Sequence, residues 1–314
     1  SRFLAFLNYD APLGLPAARA LRAATQLGID VGECIAPQTV LSSPRNLFER
    51  QIRYWSLRPM PAHPSAVASP ADSRMLLGSF SRNSALFLKE KFFTFLELLG
   101  ADKGYWQRVF QDGDYAVFRL TPEKYHYNHC PVSGKVIDFY EIDGACHSCN
   151  PGAVVAAAGP YSKNRRTVTV IDTDVGGGTG VGKVAMIEVV AMMIGEILQC
   201  YSAHRYDRSQ PVLPGLFVER GQPKSLYRPG SSVDVLIFEP GRVAFSSDIV
   251  DNLNRFDVCS RFTEHFGRPL VETEVAVRSE IGRAAQGVSH HGEPSENHAP
   301  GIRFDARKPK FIGG

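Results

Sequence analysis

The feature that most constrains the fold is a series of short apolar runs in the middle of the chain. They are rich in β-branched and aromatic residues, and Gly, Pro, Asn and Asp separate one from the next. The runs cover residues 115–120, 134–140, 167–172, 183–190 and 233–238. In this part of the chain, only residues 92–99 and 248–256 show helical spacing. The pattern therefore predicts a β-rich body with few helices.

The N-terminal sixty residues have a different pattern. Leu15, Ala18, Leu21 and Ala24 recur at helical spacing, and several prolines between 59 and 70 then prevent a helix from continuing. We therefore predict an α+β fold with a helical N-terminal region over residues 1–60 and a β-rich domain over 61–283. Residues 284–314 hold few apolar groups and are predicted to form an extended or disordered tail.

Composition excludes some classes of function. The chain has 314 residues, and its net charge of +3 gives no argument for nucleic-acid binding. No apolar run reaches the roughly 18 residues that span a bilayer, because Glu188 and Glu196 interrupt the best candidate. Six unevenly spaced cysteines do not suggest a disulfide framework, so a reducing cytoplasm is expected.

Three short motifs could carry chemistry together. Gly230 and Ser231 precede the apolar run 233–238, and a hydroxyl can attack the preceding glycine carbonyl if a base removes its proton. His126 and His129 lie three residues apart and could supply that base, while Asp72 could supply an orienting acid. Each motif alone would be an ordinary turn or a pair of structural histidines. In combination they predict a protein that cleaves itself between Gly230 and Ser231.

From residue 45 to 283 the chain resembles the phosphatidylserine decarboxylase family, with the motifs in the family's order. The matching segments are Ser-Pro-Ala-Asp at 69–72, Tyr-His-x-x-His-x-Pro-x-x-Gly at 125–134, Asn-Pro at 150–151, Asn-Arg-Arg at 164–166 and Gly-Ser-Ser at 230–232. Two positions depart from the pattern, since Ser232 replaces a frequent Thr and Ser73 a frequent Gly. Neither departure removes a reacting group.

The resemblance implies a role for each motif. Asp72 would orient and charge-stabilise His129, and His129 would deprotonate Ser231 for attack on the Gly230 carbonyl. The resulting ester would break by elimination and leave a pyruvoyl group at residue 231. Chains 1–230 and 231–314 would stay bound to each other.

The resemblance also implies the reaction. The substrate amine would form a Schiff base with the pyruvoyl ketone, and phosphatidylserine would lose carbon dioxide to give phosphatidylethanolamine, with His126 returning a proton to the product. No metal and no separate cofactor would be required. The enzyme would be cytoplasmic, with peripheral contact at a membrane, and a homodimer is compatible with the sequence. A soluble decarboxylase of an aromatic or other free amino acid is the alternative within the same superfamily.

Three interpretations outside this family stay open. Gly177 to Lys183 match the spacing of a phosphate-binding loop and would indicate a nucleotide-binding protein, although a glycine-rich hairpin explains them as well. A zinc site is suggested by Cys146, His147 and Cys149, with His126, His129 and Cys130 nearby in sequence. Buried free cysteines are the simpler alternative.

The third interpretation is a lipid-surface binding module without catalysis. It would use Arg2, Phe3 and Phe6 together with the arginines and aromatic residues of 50–58. The alternative is that these aromatic residues pack the helices together.

Overall fold

The computed structural model describes residues 17–84, 86, 92–148, 160–191, 196–230 and 232–285. The α-helices in these ranges are α1 (Ala17–Gln26), α2 (Pro37–Val40), α3 (Pro44–Phe48), α4 (Tyr54–Leu57), α5 (Phe95–Leu99), α6 (Gly104–Val109), α7 (Pro160–Lys163), α8 (Ser247–Leu253) and α9 (Arg261–Phe266). The strands up to residue 190 are β1 (Ala66–Ala68), β2 (Ser73–Ser79), β3 (Asp114–Leu120), β4 (Tyr127–His129), β5 (Gly134–Ile142), β6 (Arg166–Asp172) and β7 (Lys183–Val190). Those that follow are β8 (Ile197–Gln199), β9 (Phe217–Val218), β10 (Pro223–Tyr227), β11 (Ser232–Phe238), β12 (Val243–Phe245), β13 (Thr273–Val275) and β14 (Glu280–Ala284).

An antiparallel sheet of eight strands forms the centre of the molecule. Its order is β13-β2-β3-β11-β7-β6-β5-β9. Strand β11, which follows Gly230 and Ser231 in the sequence, therefore lies between β3 and β7. Every residue of β11 is buried, because both faces of the strand are covered. The five predicted strands are confirmed, as is the α+β, β-rich fold class.

Two smaller sheets of three strands each complete the β structure, with the orders β1-β14-β12 and β4-β10-β8. In the second of these sheets, β10 pairs with β4. Strand β10 leads to Gly230, and β4 belongs to the segment 125–134 with His126 and His129, called the histidine motif below. These short strands were not predicted, because three to five residues give too little periodicity to detect.

The helical character predicted for the N-terminal region is confirmed in short pieces. Cys34, Val40 and Tyr54 from this region share an apolar cluster with Tyr125 and Tyr127 of the β-rich part. The helices therefore cover the histidine motif directly.

Further along the chain, α8 confirms the second predicted helix, and α5 covers only the end of the first. The helices α6, α7 and α9 were not predicted. The tail prediction mostly lies outside the described residues, although Ala284, its first residue, belongs to β14. In the described ranges, no helix is both long enough and apolar enough to cross a membrane.

Candidate active site

The antiparallel pairing of β10 with β4 brings the predicted motifs together. Pro223 is opposite His129, and the Tyr227 N–H donates to the His126 carbonyl at 3.1 Å. The chain reaches Gly230 three residues after Tyr227, and Ser232 begins β11. Ser231 itself lies outside the described residues. The segment that leads to Gly230 therefore runs beside the histidine motif, and Ser232 pairs with Leu120 and Val190 of the central sheet.

His129 is fully buried, and both of its ring nitrogens are engaged. Nδ1 donates to the Gly221 carbonyl at 2.9 Å, so Nε2 carries the lone pair and accepts from the Tyr125 hydroxyl at 3.0 Å. The Tyr54 ring meets the imidazole edge-on at 4.6 Å between centroids. Burial lowers the pKa of His129 to about 3, with Arg278 adding to the shift. The ring is thus a neutral base, held in one orientation.

Asp72 lies near His129 but bonds to other groups. Its carboxylate accepts from the guanidinium of Arg58 at 3.0 and 3.3 Å and from the Val277 N–H at 2.7 Å. Gly221 and Tyr125, rather than Asp72, set the orientation of the His129 ring, because they occupy both of its nitrogens. The negative charge of Asp72 still raises the pKa of His129 against the effect of burial. In the structure, Asp72 therefore acts on His129 through its charge and makes no hydrogen bond to the His129 ring.

His126 has the opposite surroundings. Its ring is fully buried and stacks on Phe48, with 3.5 Å between ring centroids and 25° between the planes. Neither ring nitrogen finds a hydrogen-bond partner with ordinary geometry among the described residues. Burial, together with the nearby Arg50 guanidinium, lowers the pKa of His126 well below its usual value. A contact with the Lys124 backbone opposes this lowering of the pKa, but it does not have the geometry of a well-formed hydrogen bond.

A buried ion pair lies next to this site and was not predicted from the sequence. Lys224 Nζ is 2.6 Å from Glu188 Oε2, and both side chains are at most 1% exposed. Asn128, Gln199 and the Ser225 hydroxyl donate to the same carboxylate. Burial alone would raise the pKa of Glu188, but the Lys224 ammonium and these hydrogen bonds hold it below its ordinary value. The signal in the sequence was a single glutamate inside the apolar run 183–190.

Asp234 belongs to the same buried polar layer. It is opposite Glu188 on the neighbouring strand, and its Oδ1 lies 2.7 Å from the Tyr227 hydroxyl oxygen. Burial and the Glu188 carboxylate raise the pKa of Asp234 well above its ordinary value. Its Oδ2 and the Ser232 hydroxyl are buried without a hydrogen-bond partner in the described part of the chain. By strand alternation, Ser232 and Asp234 lie on the same face of the sheet.

The sequence profile of the phosphatidylserine decarboxylase family matches residues 45–262, which include both the histidine motif and the Gly230–Ser231 junction. The chain belongs to this family. The predicted resemblance is confirmed, and the protein is a decarboxylase by its family.

Individual relatives support the same assignment. The chain is 31% identical over 244 residues to a phosphatidylserine decarboxylase proenzyme of Anaeromyxobacter sp., covering 74% of this chain and 80% of the relative. It is 25% identical over 250 residues to the proenzyme of Fusobacterium nucleatum, covering 77% and 75%, respectively. The corresponding protein of Clostridium tetani is 28% identical over 227 residues, covering 72% and 70%. The similarity thus extends over most of each protein.

The glycine-rich segment is the turn between β6 and β7, in which Asp172 is opposite Lys183. Gly182 has a positive φ of 72°, and its carbonyl accepts from the Thr173 backbone and hydroxyl. A strand follows this turn, whereas a phosphate-binding loop requires a helix whose N-terminus faces the phosphate. Glu239 also binds the Lys183 ammonium at 3.5 Å. The hairpin interpretation is confirmed, and the structure does not support the nucleotide-binding one.

The remaining interpretations also find little support. Within the described ranges, no group of three His, Cys, Asp or Glu side chains is arranged to hold a metal ion. Cys146 is exposed, contrary to the expectation of a buried cysteine, and Cys149 lies outside the described residues.

The membrane-module hypothesis rests partly on Arg2, Phe3 and Phe6, which also lie outside the described residues. In its other segment, Tyr54 packs against His129 and Arg58 binds Asp72. That segment therefore supports the histidine motif, in line with the packing alternative.

Proposed function

We propose that this chain is a self-cleaving, pyruvoyl-dependent decarboxylase that converts phosphatidylserine to phosphatidylethanolamine. The observation that supports it most directly is the pairing of β10 with β4, which brings the segment before Gly230 alongside His126 and His129. The relatives support the substrate through their names, and the word proenzyme in those names supports a precursor that matures by cleavage.

Maturation begins with the Ser231 hydroxyl. His129 Nε2 takes the hydroxyl proton, and the oxygen attacks the Gly230 carbonyl carbon. The Gly230–Ser231 C–N bond breaks as the ester forms. Tyr125 contacts Nε2 in the structure, so the proton reaches this nitrogen by displacing the Tyr125 hydroxyl or by passing through it. Asp72 stabilises the positive charge that His129 then carries.

Elimination completes the cut. Loss of the Ser231 α-proton expels the Gly230 carboxylate and leaves a dehydroalanine at residue 231. Addition of water and release of ammonia convert this residue to a pyruvoyl group attached to Ser232. The ring nitrogens of His126 and the Ser232 hydroxyl are buried without a hydrogen-bond partner among the described residues, which is compatible with a polar, reactive group at this junction. Such a group supplies a ketone that accepts the substrate amine and takes up the electron pair released with carbon dioxide.

His126 is the residue that we propose to protonate the product carbon. Its nitrogens make no well-formed hydrogen bond to the described residues, so a substrate can engage them at little cost to the protein. An anionic substrate beside the ring would raise the pKa of His126 from its depressed value and make the imidazole a proton donor.

The two cleaved chains would stay together, because the sheets interleave them. The later chain contributes β11 between β3 and β7, β13 beside β2, and β14 beside β1. Breaking the Gly230–Ser231 bond leaves all of these pairings intact. We also propose a reducing compartment with access to a membrane surface, since the cysteines in the described ranges are free and the substrate is a lipid.

Intact mass spectrometry of the purified protein tests the proposal. We expect two fragments, 1–230 and 231–314, with the smaller one carrying a hydroxylamine-reactive terminus and Ser231→Ala remaining one uncut chain. The cleaved protein should release carbon dioxide from phosphatidylserine vesicles and not from free amino acids. Release from free amino acids alone would instead support the soluble amino acid decarboxylase. A wild-type chain that never splits would contradict the maturation scheme.

A further inference from the structure

Tyr227 connects the two sides of the Gly230–Ser231 junction. It lies three residues before Gly230, and its fully buried hydroxyl is 3.0 Å from the Val233 carbonyl and 2.7 Å from Asp234 Oδ1. The Tyr227 N–H is held by the His126 carbonyl. The Tyr227 side chain thus connects the segment before the junction to Val233 and Asp234 after it, while the Tyr227 backbone is anchored to the histidine motif.

Two full hydrogen bonds at the Tyr227 oxygen would take a second proton besides the one that the phenol donates. A phenol has one proton to donate, yet two acceptors lie within bonding distance of this one. A neutral Asp234 resolves the count, because its carboxyl proton can be donated to the phenol oxygen while the phenol proton goes to the Val233 carbonyl. Glu188 on β7 raises the pKa of Asp234 together with burial, while Tyr227 and the Lys224 ammonium on β10 oppose this shift. The neighbour on β3, Phe118, carries no charge.

We propose that Tyr227 is a positioning residue for self-cleavage, whose hydroxyl, bonded to Val233 and Asp234, ties together the chain segments before and after the junction. This role rests on the proposed maturation at Gly230–Ser231. Attack within a chain is fast when the reacting atoms are held about 3–3.5 Å apart. A tie between residues 227 and 233 reduces the number of conformations open to the chain between them. The Ser231 hydroxyl would therefore spend more time close to the Gly230 carbonyl.

Cell-free synthesis followed by intact mass spectrometry measures the cleavage rate of each variant. Tyr227→Phe removes the hydroxyl, and we expect cleavage to slow by about 10- to 100-fold. Tyr140→Phe is the matched control. Tyr140 lies on β5, and its hydroxyl also donates to a backbone carbonyl, that of Leu99, at 2.7 Å. That variant should cut at the wild-type rate. Thermal unfolding of both variants checks that the fold is retained.

The pH profile of cleavage separates positioning from general stabilisation. As the pH rises through the pKa of Asp234, its carboxylate takes the phenol proton away from the Val233 carbonyl, and wild-type cleavage should slow. Asp234→Asn cannot ionise, so its cleavage rate should show no alkaline decline. This comparison decides the matter even if Tyr227→Phe does not fold.

The outcomes distinguish the two proposals. If wild type cuts and Tyr227→Phe cuts as fast as Tyr140→Phe, the role of Tyr227 is overturned and the maturation scheme stands. An alkaline decline that is unchanged in Asp234→Asn would also overturn it. If the wild-type chain stays uncut under all conditions, the proposed self-cleavage fails, and the role of Tyr227 fails with it.

Discussion

The surroundings of His126 and of His129 differ sharply, although the two residues lie three positions apart and are equally buried. His129 is bonded at both ring nitrogens and flanked by the Tyr54 ring, whereas the His126 ring stacks on Phe48 and makes no well-formed hydrogen bond to the described part of the chain. Side chains alternate between the two faces of an extended chain, so residues three positions apart, such as His126 and His129, face opposite sides. One short motif can therefore place its two histidines in different surroundings. A ring held in one orientation suits a single proton transfer during maturation. A ring with uncommitted nitrogens suits contact with a substrate in every turnover.

The largest effect is expected for His129→Ala. Without a base for the Ser231 hydroxyl, cleavage should slow by at least about 1000-fold, and intact mass spectrometry should show a single chain. His204→Ala is the control, because the His204 side chain is 72% exposed and lies outside the motif. A His129→Ala protein that cuts at the wild-type rate would show that this ring is not the base.

His126→Ala should separate the two functions. We expect this variant to cut into the same two fragments, because His129 and its partners are untouched. Carbon dioxide release from phosphatidylserine vesicles should nevertheless fall by about 100-fold, since the proton donor is missing. If the variant instead stays uncut while keeping its fold, the two histidines do not divide the work as proposed.

Asp72→Asn tests whether charge near His129 matters. The amide oxygen can still accept from the Val277 N–H, but the negative charge that favours a protonated His129 is gone. Cleavage should slow by about tenfold, measured as the fraction cut over time. Glu33→Gln is the matched control, because it removes the other carboxylate bound to Arg58 and leaves Asp72 in place. Equal rates in the two variants would argue against a charge effect at His129.

The smallest effect concerns stability at mildly acidic pH. The pKa of each histidine is lower in the folded state than in the unfolded chain, so below about pH 6.5 the unfolded state binds more protons. The free energy of unfolding should therefore decrease by up to about 1.4 kcal/mol per pH unit for each histidine as the pH falls. Urea titrations of the uncut Ser231→Ala chain at several pH values measure this slope. His126→Phe should reduce it, and a slope that stays the same would show that His126 is accessible to protons when folded.

Of the six strands with seven or more residues in the described ranges, five could be predicted, because β-branched and apolar residues dominate each of them and turn residues follow. The exception is β2. The short strands β4 and β10 could not be predicted, although they bring Tyr227 next to His126. Their pairing depends on contacts between residues about a hundred positions apart, which local periodicity does not report. The partners of Asp72 were missed for the same reason, since Arg58 and Val277 come from distant segments.

The amino-acid sequence by itself determined which reactive groups are present, their order along the chain, the β-rich class of the fold and the family. These follow from residue identity and short-range pattern. Only the tertiary structure decided that His129, and not His126, has both ring nitrogens hydrogen-bonded to described residues. It also decided that Glu188, Lys224 and Asp234 share one buried layer beside the junction. The reason is that hydrogen bonding and burial depend on which segments pack against each residue, and each of these residues is surrounded mainly by parts of the chain far from it in sequence.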